Sequence, residues 1–208
     1  MAGRILGAKA TLRPGRGMRL RAPAIAFLAL TGCVIIPIGS GNLIYRPPTG
    51  TAAMRAPLEA PTTAGATRLA AERMRAGGLK VTSISTASGR ISARASDGSL
   101  VDCGTFTQTA HGNTARFPAS APLAVIFSNS HLGGFYRREA RVESRVTVTA
   151  APGSAVIAER HEVTLRRRSA DGKTLLGSES RSFTGTSRAK FSDGTICMSS
   201  GRVADLLR

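Results

Sequence analysis

Arg141-Val142-Glu143-Ser144-Arg145-Val146-Thr147-Val148-Thr149-Ala150, carried through Pro152-Gly153 into Ala155 to Arg166, is the stretch that decides the fold. Val142, Val146, Val148 and Ala150 alternate with Glu143, Arg145, Thr147 and Thr149. A period of two is the period of a β-strand, so one face of this run is apolar and the other polar. Pro152-Gly153 supplies turn chemistry, since proline pre-sets a negative φ and glycine permits a positive one. The stretch therefore predicts an antiparallel hairpin with one buried and one solvated face.

Working outward, the same grammar repeats. Leu79 to Thr86 is rich in Val, Ile, Thr and Ser, and Ser88-Gly89 turns it into Arg90 to Ser96. There Ile91, Ala93 and Ala95 alternate with Arg90, Ser92 and Arg94. Asp97-Gly98 leads into Leu100 to Gln108, Asp171-Gly172 into Leu175 to Thr184, and Asp193-Gly194 into Thr195 to Met198. Leu123 to Phe127 reads as a buried strand. Thr109 to Pro122 and Asn129 to Gly134 read as loops. Thr67 to Ala76 has helical spacing, with Thr67 as its cap and Gly77-Gly78 as its stop. Gly201 to Leu207 has room for a final two-turn helix. The expected class is α+β, an antiparallel meander with short N- and C-terminal helices packed on it; an all-β sandwich or small barrel is the alternative. The local echo of Ser96-Asp97-Gly98-Ser99-Leu100 in Ser192-Asp193-Gly194-Thr195-Ile196 needs no duplication, because Asp-Gly turns are common.

The N-terminal third reads differently. Arg19 and Arg21 precede the uncharged run Ala22 to Leu30, which is too short to span a bilayer and has the form of a secretory signal. Leu30-Thr31-Gly32-Cys33 follows. These four residues resemble the lipobox of bacterial lipoproteins at every position. The resemblance implies diacylglycerol on the Cys33 sulfur, cleavage before Cys33 and acylation of the new amine. It also implies a periplasm-facing membrane anchor. Lipoproteins with Asp after the lipidated Cys tend to stay in the inner membrane of enteric bacteria; Val34 occupies that place here, which implies the outer membrane. An uncleaved signal anchor over residues 22–45 is the rival, but Pro23, Gly32, Pro37, Gly39 and Gly41 interrupt it. Met18 makes a more compact start for the signal than Met1. The expected organisation is a signal peptide at 1–32, a flexible linker at 33–66 marked by Pro47, Pro48, Pro57 and Pro61, and a folded domain at 67–208. This anchor, linker and domain plan is similar to that of barrel-assembly accessory lipoproteins and secretin pilotins, without a shared domain motif.

Composition bounds the chemistry. The 208 residues carry a formal charge of +17. Six of the basic residues precede Cys33 and every acidic residue follows it, leaving the exported part near +11 by the same count. Aromatic residues make up 4% with no Trp, so the core is built from small aliphatics.

With Cys33 lipidated, Cys103 and Cys197 remain. An even pair in an oxidising compartment reads as one disulfide, closing a loop of about 95 residues for ~4 kcal/mol; two separate buried thiols are the other reading. His111, His131 and His161 lie in no metal-ligand spacing, and no nucleophile elbow or phosphate-cradling glycine loop occurs. The sequence therefore offers no catalytic constellation, metal site or cofactor site. Arg137-Arg138 and Arg166-Arg167-Arg168 are the basic clusters. The second is a candidate anion-binding patch, with a solvated strand edge as the plainer reading. Nucleic acid is the usual partner of a basic domain, but export removes it. Anionic envelope lipid or an acidic protein is the expected partner class. The leading expectation is a non-enzymatic binding or assembly module on a lipid anchor; the alternative is a cell-envelope hydrolase on the same anchor.

Overall fold

The computed structural model describes residues 42–110, 113–127 and 135–208. In chain order its elements are β1 (Asn42–Arg46), β2 (Arg55–Leu58), α1 (Thr63–Ala76), β3 (Lys80–Ser85), β4 (Arg90–Ala95), β5 (Val101–Asp102) and β6 (Thr105–Ala110). They continue with β7 (Asn113–Pro118), β8 (Leu123–Phe127), β9 (Phe135–Ala151), β10 (Gly153–Arg168), β11 (Leu175–Thr184), β12 (Ala189–Lys190), β13 (Ile196–Ser199) and α2 (Arg202–Leu207).

The hairpin β9–β10 is the spine. It pairs without a register shift from Ser154↔Ala151 to Arg168↔Arg137. Gly153 takes φ +77° after Pro152, the combination of a type II turn. Around this spine the main sheet runs β11-β10-β9-β4-β3, all antiparallel. The free flank of β10 is shared: β2 pairs with Gly153 to Val156, and β11 with Arg160 to Arg168. The flank of β9 is shared in the same way by β8 and β4.

The inner face of the sheet carries two apolar cores. In the first, Ile91, Val146, Val148 and Ile157 meet Ala66, Ala70 and Met74 of α1 and Val203 and Leu207 of α2. Each fully buried aliphatic side chain contributes ~1.5–3 kcal/mol. Gly77 ends α1 against α2; a Cβ there would lie 2.4 Å from Leu206 Cδ1. In the second core, Val142, Val163 and Leu165 meet Phe106 and Phe117 of the small sheet β1-β6-β7. The β12-β13-β5 strands close that end. The outer face of the sheet is exposed to solvent.

The class is α+β and sheet-dominated, as the alternating runs predict. Several boundaries differ. Helix α1 begins at Thr63, not Thr67, with Thr62 as the cap: the Thr62 hydroxyl accepts from Gly65 N at 3.1 Å. Thr67 is buried and donates to Thr63 O. The expected linker at 33–66 is not one throughout. Asn42–Arg46 pairs with β6, and Arg55–Leu58 pairs with β10. Pro57 is tolerated because β2 is an edge strand whose outward side needs no N–H donor. The segment Thr109 to Pro122, expected as a loop, contains β7, whose polar outer residues hide one inward ring, Phe117. Leu100 to Gln108 is broken at Gly104, which sits at φ +77° against Arg46 O. Residues 1–41, with the lipobox, and His111 and His131 lie outside the described residues.

Candidate functional site

Cys103, just after β5, and Cys197 of the neighbouring β13 are joined, with Cα atoms 4.0 Å apart. Both are fully buried in the second core. The Asp-Gly turns before them share one local device: Asp97 Oδ1 accepts from Ser99 N at 3.0 Å, and Asp193 Oδ1 accepts from Thr195 N at 2.9 Å. These bonds, first the Ser99 backbone and then its hydroxyl, hold the Asp97 carboxyl below the usual carboxylate range.

The basic clusters read from the sequence are dispersed by strand alternation. Arg166 and Arg168 face outward, and Arg168 is paired with Glu139 at 3.2 Å. Arg167 lies on the opposite side, near Gly177. The three thus form no single patch. Arg138 is buried, unlike a surface cation. Its guanidinium donates to Thr195 Oγ1 at 3.1 Å and to Ala119 O, faces Asp193 Oδ2 at 3.4 Å and lies over the Phe106 ring. Burial pushes its pKa down and Asp193 partly offsets that. Its role is to tie β9 to the strands carrying the disulfide.

Between the two cores, a polar layer crosses the inner face. Ser144 Oγ and His161 Nδ1 are 2.9 Å apart, and His161 Nε2 lies 3.2 Å from Glu159 Oε2. Ser199 Oγ also donates to Glu159. These are the residue types of a hydrolase triad, but all four are sealed, none more than 4% exposed. A group that does nucleophilic chemistry must reach a substrate; this one reaches only its neighbours. Among the described residues no His, Cys, Asp and Glu side chains cluster as a metal site.

The exposed outer face carries a feature that the sequence hides. Lys80 lies opposite Arg94, Arg94 opposite Arg145, and Arg145 opposite Arg160. Directly paired residues of adjacent strands share a face. The four cations therefore stand in one row across β3, β4, β9 and β10, all exposed. None of them has an ion-pair partner among the described residues. The nearest acids, Glu143 and Glu162, lie in the next row, and Glu143 is held by Arg141 at 2.7 Å. On the other side come hydroxyls, Ser83, Ser92 and Thr147, and then Arg90 and Arg55.

The row ends at an open cleft of about 630 Å³. It lies beside β10 between β2 and β11, next to the bonds from Ile157 N to Met54 O at 2.8 Å and from Gly185 N to Glu159 O at 3.2 Å. Arg145 and Arg160 line it with the hydroxyls of Thr147, Thr184, Thr186 and Ser187.

No family model matches the chain, and comparison with curated proteins and with solved structures gives no significant match.

Proposed function

We propose that this chain is a lipid-anchored protein of the bacterial cell envelope whose folded domain is a non-enzymatic binding module for an anionic partner. The observation that carries the binding half is the row Lys80, Arg94, Arg145 and Arg160. Like charges placed directly opposite destabilise a sheet, so four in register serve something other than folding. The anchoring half rests on the lipobox Leu30-Thr31-Gly32-Cys33 after its apolar run. A buried disulfide supports the same compartment, because such bonds persist in oxidising, extracytoplasmic space. The sealing of Ser144, His161 and Glu159 favours a binding role over hydrolysis.

Two acyl chains from diacylglycerol make a stable anchor, since burial yields ~0.8 kcal/mol per CH₂ and a single chain holds only weakly. Labelled palmitate is therefore expected in the wild-type protein, which stays with the membrane fraction through a high-salt wash. Cys33→Ala is expected to lose both label and salt-resistant retention. A Cys33→Ala protein that still labels contradicts the anchor.

A further inference from the structure

We infer that the outer face of the main sheet is a binding strip for an acidic polysaccharide, a glycan whose successive sugars carry anionic groups. The chain would run across the strands along the row Lys80, Arg94, Arg145 and Arg160, with one end in the cleft beside β10. The inference rests on the binding-module reading above and names its ligand.

Three properties of the face select this occupant. The first is spacing. Adjacent strands lie ~4.8 Å apart, so the row presents one cation per strand over roughly 14 Å. That interval is close to the advance of one sugar in an extended glycan, so a charge on each sugar meets a charge on each strand. Guanidinium groups, three of the four here, bind oxyanions in a planar, two-pronged geometry.

The second is the chemistry between and beyond the cations. Ser83, Ser92 and Thr147 form the adjoining row, and Thr184, Thr186 and Ser187 line the cleft. Hydroxyls both donate and accept, which matches a ligand dense in hydroxyls of its own.

The third is what the face lacks among the described residues. The outward positions of β3, β4, β9 and β10 around the row carry no aromatic ring. Single-stranded nucleic acid is held by stacking bases on aromatic side chains. Protein partners are anchored by Trp, Tyr and Arg in well-packed, desolvated pockets, whereas the arginines of this row stand exposed with no ring beside them. The large aliphatics near the strip are scattered, with Val156 47% exposed on this face, Ile84 40% exposed on β3 and Met54 and Ile157 in the cleft, too little for either a protein anchor or an insertion into a bilayer.

The test uses the full chain in detergent and titrates a hexamer of galacturonic acid by calorimetry at low and high salt. Four further probes are run beside it: a methyl-esterified hexamer, poly-glutamate, single-stranded DNA and mixed micelles of the same detergent with phosphatidylglycerol. The uronate hexamer is expected to bind in preference to all of them and to weaken steeply with salt. Arg94→Ser with Arg145→Ser is expected to weaken it at least tenfold. Arg166→Ser with Arg168→Ser, on the same face but in the mixed-charge half, is expected to change it less than twofold. Far-ultraviolet circular dichroism shows that each variant is folded.

Tighter binding of poly-glutamate, DNA or phosphatidylglycerol micelles through the same arginines overturns the glycan and leaves the anionic-partner reading intact. Binding of none of these anions overturns both. Hexamer binding that is unchanged in Arg94→Ser with Arg145→Ser overturns the strip as its site. Palmitate incorporation at Cys33 is read separately on the same protein, so failure of the anchor is not mistaken for failure of the strip.

Discussion

His161 Nε2 lies 3.2 Å from Glu159 Oε2 in the middle of a strand face that is otherwise apolar. On β10 the inward positions run Ala155, Ile157, Glu159, His161, Val163 and Leu165, so the pair divides one core from the other. Glu159→Ala strips a partner from both His161 and Ser199 and leaves them buried. Orphaned buried polar groups cost ~1–3 kcal/mol each, and more where charge is involved. A loss of roughly 3 kcal/mol in urea unfolding is expected. Replacing Glu159 and His161 with Leu and Ser144 and Ser199 with Ala removes the demand as well as the supply, so this fourfold variant is expected to be more stable than Glu159→Ala. The reverse order contradicts the assignment of this layer as a structural network.

The Cys103–Cys197 bond ties the residue that follows β5 to β13 and closes the chain over a separation of 94 residues. On the chain-entropy account such a loop is worth ~4 kcal/mol. Cys103→Ser with Cys197→Ser is expected to lower unfolding stability by about that amount in urea. A change under about 1 kcal/mol contradicts a stabilising role for the cross-link.

Acid sensitivity follows from Asp97. Hydrogen bonds from Ser99 hold its folded pKa below the unfolded value. A carboxyl depressed in this way contributes stability above its unfolded pKa, and that contribution is lost as pH falls from about 4 through the folded value. Asp97→Asn keeps an oxygen to accept from Ser99 N but does not ionise. Stability of the two proteins is expected to differ at pH 6 and to converge as the pH is lowered to 2. A gap that persists unchanged at pH 2 contradicts the assignment.

Much of the sheet is legible in the sequence. The alternation over 141–150 lies inside β9, the Pro152-Gly153 turn joins β9 to β10, and Leu175 to Thr184 is β11 itself. The pairing of Cys103 with Cys197 is one of two readings the sequence leaves open once Cys33 is set aside on its lipobox resemblance, and the structure shows that pairing. What is not legible depends on register. Lys80, Arg94, Arg145 and Arg160 are far apart in the chain, and each looks like an ordinary solvated strand residue. Only the alignment of four strands puts them in one row. Arg166-Arg167-Arg168 shows the converse: adjacency in sequence means opposite faces in a strand. The prolines between 47 and 61 masked β2, because an edge strand accepts what an inner strand cannot. The burial of Glu159 and His161 does have a sequence signal, since both occupy inward positions of the alternating run, but the polar residues hide the period.

The cation row carries a stability consequence of its own. Arg145 faces Arg94 on one side and Arg160 on the other, so it meets like charge from both neighbours. Like charges directly opposite destabilise by ~0.2–1 kcal/mol per pair, and these exposed side chains feel the lower part of that range. Arg145→Thr removes both repulsions at once and places a β-branched residue on a solvated strand. It is expected to raise stability by about 0.5 kcal/mol in urea at low ionic strength, where the non-ionic denaturant leaves the charges unscreened. Salt shortens the Debye length to about 3 Å at 1 M, so the gain is expected to fade there toward the propensity contribution alone. Arg166→Thr is the control: Arg166 stands opposite Glu139 and Ser178, with no like charge directly across, and no comparable gain is expected. A residue that weakens the fold and strengthens binding is the usual compromise at a functional surface. The same Arg145→Thr protein should therefore unfold later and bind the uronate hexamer more weakly. Loss of stability at low salt would show that the row is not under electrostatic strain, and the principal reason for assigning it a ligand would go with it.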